Sequence, residues 1–292
     1  MSSNSRGEWQ RQQMTTQTTT ERPIARSLLF VPGHQTARFA KACLSGADTI
    51  VLDLEDGVAP QNKDEARAQV ARWLDSLGDE TRPTLAVRVN AVGTVWHAAD
   101  VALCAHSRVE ALMVPKAEQA EGLGGIAEML PNMALLPLVE TARGMAGLNE
   151  IANAPNVQRL VFGTIDFQAD LDIEGDGDEL LLYRSQMVLT SRLVGLQAPV
   201  DGVSTVLDDG ARIEADARYA RRLGFGGKLC IHPKQVAAVN VSFSPTLDQL
   251  HWARRVLAAD AASGGSPVAV DGKMVDRPVV LKAQALLRAG SR

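Results

Sequence analysis

The stretch IVLDLEDGVAP, residues 50–60, begins as an apolar strand and ends in acids. Ile50, Val51, Leu52 and Leu54 suit a dry core, whereas Asp53, Glu55 and Asp56 want water, a cation or a proton to exchange. Two readings fit: a solvated loop after a strand, or a metal or acid–base site at the mouth of a sheet. Polar groups follow other apolar runs in the same way. Arg88 and Asn90 lie in TLAVRVN, Lys116 follows ALMVP, and Glu140 and Arg143 follow ALLPLV. Asp166 follows RLVFG, Asp201 lies in APVDG, and His232 closes GGKLCIHP. If these runs are strands whose ends converge, several carboxylates and two or three cations share one opening. Such a ring suits Mg²⁺, which takes oxygen ligands, keeps several waters and uses only one or two protein carboxylates. An arginine beside it binds a carboxylate or oxyanion through its two-pronged fork.

The elements that would position these groups alternate along the chain. The apolar runs are SLLFVP (27–32), TIVLDL (49–54), TLAVRVN (84–90), ALMVP (111–115), ALLPLVE (134–140), RLVFG (159–163), APVDG (198–202) and GGKLCIHP (226–233). Between them lie segments such as KDEARAQVARWLDSL and ARIEADARYARRLG, with apolar residues at three- and four-residue spacing. Strands alternating with helices imply parallel pairing through right-handed crossovers. Eight such units in about 215 residues predict an α/β fold, a (β/α)8 TIM barrel over residues 24–240. A doubly wound open sheet is the alternative, but it usually wants a glycine-rich phosphate loop, and VPGHQTARF holds one glycine.

Residues 241–292 predict a C-terminal extension. SPTLDQLHWARRVLAADAAS reads as a helix opened by its Ser-Pro pair, GGSPVAVDGKMVDRPVV is rich in Gly and Pro, and a last helix follows. This tail is too short for a second domain and reads as a lid or oligomer arm. The polar stretch 1–23 reads as a disordered leader without the apolar region of a secretory signal.

Bulk properties exclude several classes. Of the 292 residues 46% are hydrophobic, enough for a full core, and a net charge of −4 gives no basic stripe for nucleic acid. No apolar run approaches the roughly 18 residues of a membrane span. Cys43, Cys104 and Cys230 are odd in number and far apart, which suits a cytoplasmic location and no disulfide framework. The five histidines are scattered and show no metal-ligand spacing.

Taken together and in order, RSLLFVPG, DTIVLDLEDGVAP, VRVNAVGT, PLVETARG, GTIDF, GKLCIHPKQV and DGKMVD resemble the citrate lyase β-subunit-like branch of the HpcH/HpaI aldolase superfamily, over roughly residues 25–290. The resemblance implies a (β/α)8 barrel that uses Mg²⁺ or Mn²⁺ and makes or breaks C–C bonds in 3-hydroxyacyl thioesters, with a 2-oxo acid as partner. It implies Glu140 and Asp166 as metal ligands and Arg88 as a catalytic, substrate-binding arginine. Asp276 resembles an acid that the C-terminal segment brings to a neighbouring subunit's site, in a homotrimer or a multiple of one. Glu55 and Asp56 look like groups that hold the ion's waters, with Asp56 near where the wider superfamily places an acid–base histidine. Ile165 departs from relatives that have Glu before the metal-binding Asp.

Arg26 and Lys228 are further substrate-binding candidates, Lys228 for the phosphates of coenzyme A, each beside a structural alternative. Lys116 and Arg143 carry the same two readings, and Cys230 reads as core. The expectation is a Mg²⁺-dependent lyase that cleaves a malyl-, citramalyl- or citryl-CoA type thioester into acetyl-CoA and a 2-oxo acid. Its alternatives are an acyl-carrier-protein-linked citrate lyase β subunit, a thioesterase, a malate-synthase-like condensing enzyme and a non-catalytic barrel subunit.

Overall fold

The computed structural model describes residues 24–78, 82–264 and 266–290; the predicted leader lies outside them. Eight parallel strands close into a barrel in sequence order, with β1 completing the ring against β8. They are β1 (Ser27–Pro32), β2 (Thr49–Asp53), β3 (Thr84–Arg88), β4 (Ala111–Val114), β5 (Ala134–Val139), β6 (Val161–Phe162), β7 (Val200–Asp201) and β8 (Gly227–Cys230). The apolar runs are continuous because both faces of each strand are covered. One face packs inside the barrel, where Leu28, Val51, Ala86, Met113, Leu136, Leu138, Val161, Val200 and Leu229 form one cluster. The other face, including Leu29, Ile50, Leu52, Leu85 and Leu135, packs under the helices.

The helices are α1 (Phe39–Cys43), α2 (Lys63–Asp75), α3 (His97–Leu103), α4 (Ala120–Met129), α5 (Ala142–Ala146), α6 (Leu148–Ala152), α7 (Thr164–Leu171), α8 (Leu181–Leu193), α9 (Gly210–Leu223) and α10 (Pro233–Phe243). Local chemistry fixes their ends. Thr141 caps α5 by accepting from Gly144 N, and α9 stops at Gly224, whose φ of 107° suits a residue without Cβ. His232 caps α10 with Gln235 answering from the third helical position. β6 and β7 are shorter than RLVFG and APVDG suggest. Pairing along β5 slips by one residue around Pro137, since Leu135 bridges Val157 while Leu138 pairs with Val161. The extra residue lies on the β6 side, between Val157 and Val161.

The C-terminal extension is α11 (Leu247–Ala262), a hairpin of β9 (Val268–Val270) and β10 (Lys273–Val275), and α12 (Arg277–Gly290). The cap of α11 is Thr246 in a box with Gln249, not the Ser-Pro pair, because Ser244 already ends α10. The extension builds its own apolar cluster from Ala253, Val256, Val275, Val280 and Ala283. Among the described residues no helix is long and apolar enough to cross a membrane.

Candidate active site at the barrel mouth

Side chains two residues beyond the inner cluster emerge at the C-terminal ends of the strands, where a parallel barrel binds its ligands. Register makes the first contact. Pro32, Asp53 and Arg88 stand level across β1, β2 and β3, so Asp53 and Arg88 point into the mouth side by side. Arg88 Nε and Nη2 each donate to one Asp53 oxygen at 2.7 Å, and Nη1 lies 2.9 Å from Glu55 Oε2. Its guanidinium carbon sits 4.8 Å from the centre of the Phe30 ring. Burial works against the charge on Arg88, but Asp53, Glu55 and Asp56 more than offset it and hold the guanidinium protonated. Asp53 also accepts from Glu55 N and Gly57 N, both at 2.9 Å, so its oxygens are fully used. A Cβ on Gly57 would lie 2.3 Å from Asp53 Oδ2, which is why the LDLEDG turn needs glycine there.

Glu55 is buried and bridges two cations, with Lys116 Nζ at 2.6 Å on its other oxygen. Burial pushes the Glu55 carboxyl above its ordinary value, while Arg88 and Lys116 pull it back. Asp56 is 58% exposed and lies 3.8 Å from Arg88 Nη1.

Glu140 continues the inward face of β5, 1% exposed. Lys116 N donates to its Oε1 at 2.7 Å, but Oε2, although buried, has no partner among the described residues. Burial first, and then Asp166 and Glu55, push this carboxyl up to about 8. Gly163 leaves the room for it, since a Cβ there would lie 2.6 Å from Glu140 Oε2. Asp166 reaches the same opening from the first turn of α7, a helix starting directly after β6 that the apolar pattern did not reveal. Asp53, Asp56, Arg88, Glu140 and Asp166 line a single cavity of about 380 Å³. Apart from Thr164 and the two glycines, its remaining wall is apolar: Phe30, Pro32, Leu138, Val203, Leu229, Ile231 and Ile165.

A buried carboxylate oxygen without a donor is costly unless a cation or proton meets it. Among the described residues no three His, Cys, Asp or Glu side chains cluster to hold a metal alone. Two carboxylates with open positions fit an ion that keeps its waters and takes substrate oxygens. Glu140 and Asp166 therefore fit Mg²⁺, whereas the saturated Asp53 does not.

The profile of the HpcH/HpaI aldolase/citrate lyase family matches residues 26–233, a span holding all eight strands and the whole mouth. The chain belongs to this family. It is 35% identical to a "(3S)-malyl-CoA thioesterase" of Cereibacter sphaeroides over 91% of this chain and 97% of that one. A "citrate lyase subunit beta-like protein" of Deinococcus radiodurans is 37% identical over 90% of this chain and 96% of its own length. Among solved structures, CitE of Mycobacterium tuberculosis in complex with magnesium, acetoacetate and coenzyme A superposes with a TM-score of 0.79. It shares 35% identity over 92% of this chain and 99% of that one.

Within this HpcH/HpaI barrel several candidate residues lie away from the mouth. Arg26 sits at the opposite end, where it pairs with Asp48 at 2.8 Å and donates to Ser244 Oγ at 2.8 Å. Lys228 precedes Leu229 in β8 and so points outward, 2.9 Å from Asp201 and 1% exposed. Neither amine nor guanidinium is free to meet a substrate at the mouth, and both substrate-binding expectations are corrected to structural pairs. For Lys228 period-two alternation is the reason, since one residue along a strand reverses the face; Arg26 precedes β1 and so lies at the N-terminal end of the strands. Asn90 is tied to Asp100 at 2.6 Å, Arg143 is 73% exposed beside Glu118, and His232 serves as a cap. Asp276 is exposed on the extension, accepting from Val279 N, and does not reach its own chain's cavity. Phe30, Gly57 and Gly163 belong to the site but carry no polar atom that singles them out; for the glycines the signal is adjacency, in EDG and GTID.

Proposed function

We propose that the protein is a Mg²⁺-dependent acyl-CoA lyase that cleaves a 3-hydroxyacyl thioester into acetyl-CoA and a 2-oxo acid. The observation that carries the reading is the buried, unpartnered Glu140 Oε2 facing a cavity shared with Asp166 and Arg88. The magnesium, acetoacetate and coenzyme A of the CitE complex and the malyl-CoA of the thioesterase's name support the same substrate class. Glu140 and Asp166 would hold Mg²⁺, which supplies Lewis acidity toward substrate oxygens. Arg88 has N–H groups beyond the three used on Asp53 and Glu55, and these meet the substrate carboxylate and the charge that develops on it. Cleavage moves the hydroxyl proton to a mouth carboxylate and breaks the bond from the hydroxyl-bearing carbon to the thioester α-carbon. The electron pair goes to the thioester enolate, whose carbon then takes up a proton. Asp56, solvent-accessible beside Arg88, accepts the first proton; Asp276 returns the second from the extension of another copy.

The cavity also ranks the acyl groups. Arg88 is the one cation among its described lining residues, against four carboxylates. A malyl or citramalyl thioester brings one free carboxylate, and its hydrogen or methyl meets the apolar wall. A citryl thioester brings two carboxylates, one of which meets the apolar wall instead. Hydrolysis of the same thioester is the second reading, favoured by the identity to the malyl-CoA thioesterase.

The test is incubation of the purified protein and Mg²⁺ with malyl-, citramalyl- and citryl-CoA, followed by NMR or mass spectrometry. Acetyl-CoA plus a 2-oxo acid, abolished by EDTA and by Glu140→Ala, is the expected result. Free acid plus coenzyme A would replace the lyase with a thioesterase, and no turnover of any ester would reject both.

A further inference from the structure

Lys116 combines two features that a loop lysine has no reason to combine. Its φ is 47°, a left-handed conformation that favours glycine, yet the position carries a long side chain. Both ends of the residue are committed to mouth carboxylates. The main-chain N–H donates to Glu140 Oε1 at 2.7 Å, and the amine donates to Glu55 Oε1 at 2.6 Å. Glu55 passes the contact on through its other oxygen to Arg88 Nη1 at 2.9 Å. One residue at the end of β4 thus ties the ends of β2, β3 and β5. Occupying Glu140 Oε1 from the β4 side leaves Oε2 as the oxygen without a partner.

We propose that Lys116 is a positioning residue: its left-handed turn aims the free oxygen of Glu140 into the cavity, and its amine fixes Glu55 and, through it, Arg88. The inference rests on the reading that Glu140 holds a metal ion. It separates two effects that different substitutions isolate. Lys116→Gly accepts the turn and keeps the main-chain donor but loses the amine. Lys116→Val loses the amine and also resists the turn, because a β-branched residue is strained at positive φ.

The experiment measures Mn²⁺ affinity of the substrate-free protein by electron paramagnetic resonance, with kcat/KM and far-UV circular dichroism for the same variants. Lys116→Gly is expected to bind Mn²⁺ within about threefold of wild type while kcat/KM falls roughly 10-fold or more. Lys116→Val is expected to lose roughly 10- to 100-fold in Mn²⁺ affinity, the range seen when a group orienting a metal ligand is removed. If Lys116→Val does not fold, Lys116→Thr, β-branched but polar, applies a similar turn penalty. Equal Mn²⁺ affinity in the Gly variant and the Val or Thr variant overturns the role of the turn, and wild-type kcat/KM in Lys116→Gly overturns the role of the amine. A wild-type protein that binds no Mn²⁺ overturns the metal reading itself and this inference with it.

Discussion

Two clusters of buried charge lie within one barrel, and they differ in whether they close. On the outside of the sheet, Lys228, Asp201, Arg184 and Asp176 form a chain with contacts of 2.9, 2.8 and 2.6 Å. Lys228, Asp201 and Arg184 are each 1% exposed. Burial alone would raise the Asp201 carboxyl, but Lys228 and Arg184 outweigh it and hold the carboxyl below its ordinary value. At the mouth, Asp53, Glu55 and Arg88 are also mutually satisfied, but Glu140 is not, and its carboxyl is pushed up instead of down. A closed ion network satisfies itself and holds structure. An open one presents an unmet charge that a ligand can complete.

The contrast predicts opposite consequences for removing one carboxylate. Asp201→Ala leaves Lys228 and Arg184 buried without their shared counter-charge. It should cost about 3–5 kcal/mol in urea unfolding while the folded fraction keeps its kcat. Retained stability would show that the outer network is not closed in the sense described. Glu140→Gln should do the reverse. Loss of this proposed metal ligand is expected to cost more than the roughly 100-fold in metal affinity seen for groups that merely orient one, while the metal-free protein becomes no less stable. A large fall in its melting temperature would make Glu140 a structural acid.

The same comparison sets a pH dependence for the metal-free protein. Glu140 binds its proton more tightly folded, at about 8, than at its ordinary value of 4.5. Its contribution to stability is complete below 4.5 and lost as pH rises through about 8. The slope is at most about −1.4 kcal/mol per pH unit. Urea titrations between pH 5 and 8 should show this fall in wild type, and Glu140→Gln should flatten it. The smallest effect belongs to the barrel floor. Arg26→Ala removes a partly exposed pair with Asp48, and about 1 kcal/mol of stability should go with it while KM stays unchanged. A raised KM would return Arg26 to the substrate.

Much of this arrangement is legible in the chain. The alternation of apolar runs and amphipathic segments specifies eight parallel strands, because a strand buried on both faces reads as an unbroken apolar stretch. Most of the acids and the arginine at the ends of those runs converge because a parallel barrel brings all its C-terminal strand ends to one opening; Asp201 is the exception, turned outward to Lys228 and Arg184. Legibility fails where the outcome depends on a single-residue choice of face or cap. Lys228 is the second residue of β8 and stands beside the inward-facing Leu229, so it points the other way; Ser244-Pro245 looks like a helix start, yet Thr246 provides it. β9 and β10 are three residues each and pair only through their contact with one another and with α11 and α12.

Element order, the barrel and the acids Asp53, Asp56, Glu140 and Asp166 with Arg88 at its mouth follow from the chain's own pattern, since period, strand length and residue type are local properties; Asp201, Asn90, Arg143 and His232, expected there too, are engaged elsewhere. Which of those groups are spent on one another depends on contacts between elements. Asp53 is closed off by the Arg88 fork across the β2–β3 register, whereas Glu140 keeps one oxygen open because Lys116 takes the other and Gly163 leaves space beside it. That division rests on distances between strands remote in sequence. A carboxylate's neighbours, more than its own chemistry, fix whether it braces the fold or waits for a cation.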